Sequence, residues 1–105
     1  MLFRSFIIAT AADEIERYAK AGSVMEAMTQ ARIRRDTGFA SHLVWEGIDL
    51  LAGASGGSFA NVAHPLNRIW HDARVASLHA SLVPSTVFEL YGRMMCGLDP
   101  WTMSL

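Results

Sequence analysis

The sequence is poor in the residues that most quickly betray a protein's class: one cysteine, three prolines and only 18% charged residues in 105. A lone Cys96 excludes an internal disulfide framework and a cysteine-rich zinc module. Nine Lys and Arg stand against ten Asp and Glu with no basic block, which argues against a nucleic-acid partner. No stretch approaches the roughly 18 uninterrupted apolar residues of a membrane span. No polar–apolar alternation persists long enough to mark a strand. The four histidines, His42, His64, His71 and His79, include no i,i+3 or i,i+4 pair, so no helix-borne metal site is expected. A nucleophile elbow of the G-x-S-x-G type is missing as well.

Apolar side chains are what the chain has in excess, at 51% of residues. That excludes intrinsic disorder and leaves one small domain with more greasy surface than its length can cover. Ala, Leu, Met, Glu and Arg dominate, so the fold class is all-α. The pentapeptide Met1–Ser5 back-translates into the end of a common sequencing adaptor read from a GTG start. Residues 1–5 are therefore expected to be a non-native scar, residues 6–105 the domain, and the natural protein longer upstream. The apolar run from Phe6 to Ala12 after Arg4 imitates a very short secretory signal, but Asp13 to Tyr18 continue it without a turn, so it reads as amphipathic helix.

Four helical stretches follow. The first runs from about Phe6 to Lys20 and stops at Ala21-Gly22. Ser23-Val24-Met25-Glu26 reads as a capping box opening a second helix from Val24 to about Leu51. That helix would be about 42 Å long, more than so small a domain can bury. Gly38 and Gly47 lie inside it, both explained by close helix packing. Gly53–Ser58 opens a loop that runs through Asn61. The third helix begins near His64-Pro65 and is kinked or ended by Pro84. The fourth spans Ser85 to Cys96 and stops at Gly97, leaving Trp101–Leu105 as a loose or docked tail.

The third stretch holds the chemistry. At 100° per residue Arg68, Asp72 and His79 fall within an arc of about 40°. Leu66, Ile69, Trp70, Ala73, Ser77 and Ala80 then form the opposite, core face. Taken alone, the first face reads first as an ordinary surface ion pair with a bystander histidine. Gly53–Gly57 lacks a P-loop lysine and follows no strand, so neither nucleotide fingerprint applies.

From Gly53 to Val75 the chain reads G-A-S-G-G-S-F-A-N-V-A-H-P-L-N-R-I-W-H-D-A-R-V. It resembles the C-terminal helical domain of the acyl-CoA dehydrogenase superfamily, through Gly56-Gly57, Pro65, Arg68 and Asp72. Ser77-Leu78-His79 and Glu89-Leu90-Tyr91-Gly92-Arg93 resemble one branch, the two-component, reduced-flavin-dependent aromatic monooxygenases. Two departures stand out. His71 replaces the arginine of the usual R-D pair, and the glutamate-glycine-threonine loop typical of true dehydrogenases is missing, which points to the oxygenase branch.

The resemblance implies a larger cytoplasmic protein with an N-terminal helical domain, a middle β domain and this bundle, assembled as a homotetramer. A separate reductase would deliver reduced flavin (FMN or FAD), and an oxygen atom would pass to a small phenol-like substrate. It further implies His79 as the catalytic residue and Gly56 and Gly57 as a loop beside flavin. Arg68 and Asp72 would complete the cofactor region mainly by fixing the helix start. Two alternatives stand beside this reading: an acyl-CoA dehydrogenase or other flavin oxidase, and a stand-alone helical oligomerisation module. By the same implication, the 105 residues alone should catalyse nothing.

Apolar stripes on all four helices need cover, so the isolated chain is expected to be molten, aggregated or oligomeric. Sedimentation combined with thermal melting checks this. A sharp, concentration-independent melt from a monomer would contradict it.

Overall fold

The computed structural model describes residues 2–100, with side chains from Ser5 onward. The order is α1 (Leu2–Ala21), α2 (Ala27–Ala54), a 3₁₀ turn (Gly56–Ala60), α3 (Pro65–Ser77) and α4 (Pro84–Met95). Among the described residues there is no strand, as the all-α reading requires. The loose or docked tail expected at Trp101–Leu105 lies outside the described residues. Helix α2 is the axis: α1, α3 and α4 all pack on it, giving an elongated body of 49 × 29 × 20 Å.

Helix α1 begins at Leu2, four residues ahead of the expected Phe6; the other helix ends follow local chemistry, with two further corrections to the sequence reading. Gly22 takes φ +66, its N–H reaches the Ala19 carbonyl, and the Ser23 N–H reaches that of Tyr18. This is a Schellman closure of α1, so Ser23 finishes one helix instead of capping the next. The expected Ser23–Glu26 capping box does not form. Helix α2 starts three residues later than expected behind Glu26, which makes no side-chain cap. Its far end also runs on to Ala54, into the expected glycine loop.

The second correction concerns α3. It does not continue to Pro84 but ends at Ser77, with Leu78 and His79 donating back three residues to Val75 and Ala76. Pro84 opens α4 as its first residue. A proline forces its predecessor out of the helical region, and Val83 is extended at φ −65, ψ 118. The residues between the two helices therefore form a turn.

The core is thin. Ala31, Ile33, Ala40, Ala52, Val87 and Leu90 are buried, and none comes from α3. Large apolar side chains remain exposed on every helix, among them Ile15, Leu50, Ile69 and Phe88. Arg32 ties α1 to α2 through Glu14 at 2.5 Å, and that hydrogen bond raises the affinity of its guanidinium for the proton. Arg35 lies 4.2 Å over the Tyr91 ring, joining α2 to α4.

The two glycines of α2 prove unlike. A Cβ at Gly38 would sit 2.5 Å from Val87 Cγ2 and 3.2 Å from the Leu82 carbonyl oxygen. Close packing explains it. No described residue lies within 4 Å of a Cβ at Gly47, so packing among the described residues does not explain that one.

Opposite outcomes should follow. Gly38→Ala is expected to destabilise by about 1–3 kcal/mol, because Val87 is buried and stiff at χ1. Gly47→Ala should stabilise by about 0.5–1 kcal/mol through helix propensity alone. Urea midpoints of the two variants, measured at equal protein concentration, check the pair.

Candidate functional site

Helix α3 is a 13-residue spacer, about 20 Å long, with the glycine turn before it and the His79 turn after it. Its start is well built. Asn61 Oδ1 accepts the Ala63 N–H at 2.9 Å, and His64 Nδ1 accepts the Leu66 N–H at 3.1 Å, capping the helix ahead of Pro65.

Of the residues expected on one face, Arg68 and Asp72 do meet. Arg68 Nε donates to Asp72 Oδ2 at 3.5 Å, with both side chains mostly in solvent. His71 Nδ1 stands 3.4 Å from the other carboxylate oxygen, so the residue replacing the usual arginine shares the same partner. His79 does not join them. The helical arithmetic that aligned it with Arg68 and Asp72 fails because α3 stops two residues before it. It sits instead on the exposed turn, where its carbonyl accepts the Leu82 N–H at 2.8 Å and the Val83 N–H at 3.2 Å.

Gly56 and Gly57 lie in the 3₁₀ turn at the other end of α3. Gly56 takes φ +66, which a side chain would strain, and a Cβ at either position would meet nothing within 4 Å. The backbone here is open to a neighbour. Thus the chain does not gather Gly56, Gly57 and His79 around one point. It holds them at opposite ends of one helix.

The expected core face of α3 is only partly one. Trp70 is half-buried, Ile69 is 52% exposed, and Ala80 lies off the helix altogether. What Trp70 does instead was not visible in the sequence. Its Nε1–H donates to Asp49 on α2 at 3.0 Å, and its ring packs on Trp45 and Phe59 with centroids 5.5 and 5.8 Å apart. Arg74 lies 4.7 Å over Trp45 in return. Two W-x₃-charge segments, Trp45…Asp49 and Trp70…Arg74, cross so that each tryptophan meets the other's charge. The repeated spacing was the only available signal. Phe59 belongs to the 3₁₀ turn, so this cluster is what fixes the glycine pair against α2 and α3.

No helix among the described residues is long and apolar enough to cross a membrane. Among them, too, no group of three or more His, Cys, Asp or Glu could hold a metal ion. Beside the His79 turn, a notch of about 30 Å³ is lined by Ser41, His42, Trp45, Arg74, Ser77 and Pro84. That is smaller than the ~300–1,000 Å³ of a typical small-molecule pocket. Open backbone at Gly56-Gly57 and an exposed imidazole at His79 fit contact with the edges of a flavin. They do not enclose one.

Residues 5–84 match the family model described as acyl-CoA dehydrogenase, C-terminal domain. The oxygenase subunit HsaA of a flavin-dependent monooxygenase from Mycobacterium tuberculosis is 32% identical over 94 residues, covering 90% of this chain and 24% of that protein. The structure of XiaF from Streptomyces sp. in complex with FADH2 and glycerol is 35% identical with a TM-score of 0.87. It matches 97% of this chain and 26% of its own. The 3-HSA hydroxylase from Rhodococcus sp. RHA1 is 27% identical with a TM-score of 0.68, over 92% of this chain and 29% of its own. The chain thus spans about a quarter of the length of the relatives it matches.

Trp70→Ala should cost about 2–3 kcal/mol, below the ~3–5 kcal/mol of a fully buried ring. Asp49→Ala should cost about 1 kcal/mol for the lost hydrogen bond. Limited proteolysis should show Trp70→Ala newly cut between Gly53 and Asn61. Unchanged protection there would mean that the tryptophan cluster does not hold the glycine turn.

Proposed function

The chain belongs to the family of acyl-CoA dehydrogenase C-terminal domains, and on that premise we propose that it is the C-terminal part of the oxygenase subunit of a flavin-dependent monooxygenase. The reaction is hydroxylation of a small, phenol-like aromatic substrate with reduced flavin and oxygen. The observation that carries this reading is the match of nine-tenths or more of the chain both to the oxygenase subunit HsaA and to XiaF, whose structure holds FADH2.

Reduced flavin, FMN or FAD, supplies the electrons for oxygen activation when bound. The work of this chain is orientation, charge and dryness. Gly56 and Gly57 present side-chain-free backbone to the flavin of a neighbouring subunit. His79, about one α3 length away, serves a different copy of the site, where its imidazole contacts the reacting oxygen. Arg68 and Asp72 steady the first turns of α3 behind the glycine pair. The exposed apolar residues of all four helices are covered by the rest of the subunit and by sister subunits in a homotetramer, which keeps water from the reaction. A separate reductase and a cytoplasmic location complete the reading.

The test uses the complete subunit with a flavin reductase, NADH and oxygen, scoring hydroxylated product against hydrogen peroxide. His79→Ala is expected to lower product formation about 10²–10³-fold while peroxide rises. Its stability should change by no more than about 0.5 kcal/mol, because the side chain is exposed. Gly57→Ala should leave the fold intact, since its Cβ meets nothing in this chain, yet weaken reduced-flavin binding about tenfold. Undiminished coupling in His79→Ala, together with unchanged flavin binding in Gly57→Ala, would refute the reading.

A further inference from the structure

The ring of His79 is held in one tautomer. The Ser81 N–H donates to His79 Nδ1 at 3.2 Å. A nitrogen that accepts carries no proton, so the neutral ring bears its proton on Nε2, an assignment that follows from the hydrogen-bond geometry. The donor is backbone, two residues ahead in a turn already closed by the Leu82 and Val83 amides on the His79 carbonyl.

The other histidines make the arrangement distinctive. His71 is set the opposite way, with Nδ1 facing a carboxylate oxygen of Asp72 at 3.4 Å, which favours the proton on Nδ1. His42 has its Nε2 engaged by Glu46 at 3.1 Å. His64 accepts at Nδ1 as His79 does, but there the half-buried ring caps α3. Only His79 combines an Nδ1 held from behind with an exposed ring.

We propose that the Ser81 amide is a positioning group that keeps neutral His79 as an Nε2–H hydrogen-bond donor. His79 then stabilises negative charge developing on a reacting oxygen and does not take the proton of the substrate hydroxyl through Nε2. A preset donor needs no reorganisation as charge develops, whereas a base at Nε2 would first have to exchange tautomers and give up the Ser81 contact. This rests on the placement of His79 in the oxygenase site proposed above.

Two measurements separate the tautomer from the function. In the complete subunit with ¹⁵N-labelled histidine, magic-angle-spinning NMR near pH 8.5, about two units above the ordinary histidine pKa, reports which ring nitrogen is protonated. Signals of His79 are those lost in His79→Asn. The expected result is a bare Nδ1 and a protonated Nε2 for His79, with the reverse for His71. A protonated Nδ1 at His79 would overturn the proposal and leave the oxygenase reading standing.

The second measurement compares two substitutions. In His79→Asn the side-chain oxygen can still accept the Ser81 amide and keep the turn, but nothing replaces Nε2–H. In His79→Gln the longer amide can bring an N–H close to the lost Nε2. Product formation should fall about 10²–10³-fold in the asparagine variant, and the glutamine variant should recover about tenfold of that. Equal losses in the two would remove the donor role. Full coupling in both would sink the placement of His79 itself.

Discussion

The contact on which this small bundle turns is a missing methyl group. Gly38, midway along α2, leaves room for both Val87 of α4 and the carbonyl of Leu82 in the preceding turn. With a Cβ there, α4 and the turn would have to withdraw together, because Val87 is buried and β-branched. The same approach brings the Arg35 guanidinium over Tyr91 and buries Leu90. Since Leu82 lies three residues past His79 and bonds to its carbonyl, the seating of α4 also sets where the imidazole stands. Core packing and site geometry are one constraint here.

A second cluster does the same service at the opposite end. Trp45, Trp70 and Phe59, with Asp49 and Arg74 crossing between α2 and α3, seat the 3₁₀ turn that carries Gly56 and Gly57. None of these residues is proposed to touch flavin or substrate. Their energy goes into a rigid placement of open backbone. Helix α3 then acts as a ruler between two functional ends. Under the proposed function each end would serve a different site, and the many exposed apolar residues of the chain are surface that such sharing would cover.

The donor reading of His79 gives the turn between α3 and α4 a chemical purpose beyond connection. A helix continuing through His79 would have aligned it with Arg68 and Asp72 and left its amide neighbours engaged in helical bonds. Ending α3 at Ser77 frees the Ser81 N–H to face the ring. Irregular backbone is where such a group becomes available.

Composition and local signals determined the all-α class, the approximate extents of α1, α2 and α4 and the positive-φ closures at Gly22 and Gly97, because these depend on neighbours within a turn or so of chain. Motif order carried the family, since Gly56-Gly57, Pro65, Arg68 and Asp72 keep their spacing whatever the packing. The sequence misplaced Ser23, where two helix-end motifs compete for one residue, and His79, where Pro84 acts back through Val83 to leave a turn. It could not distinguish Gly38 from Gly47, nor pair Trp70 with Asp49, 21 residues away. Those facts exist only once α2, α3 and α4 lie side by side, because a Cβ clash and an indole hydrogen bond are properties of distance between helices, which no local pattern encodes.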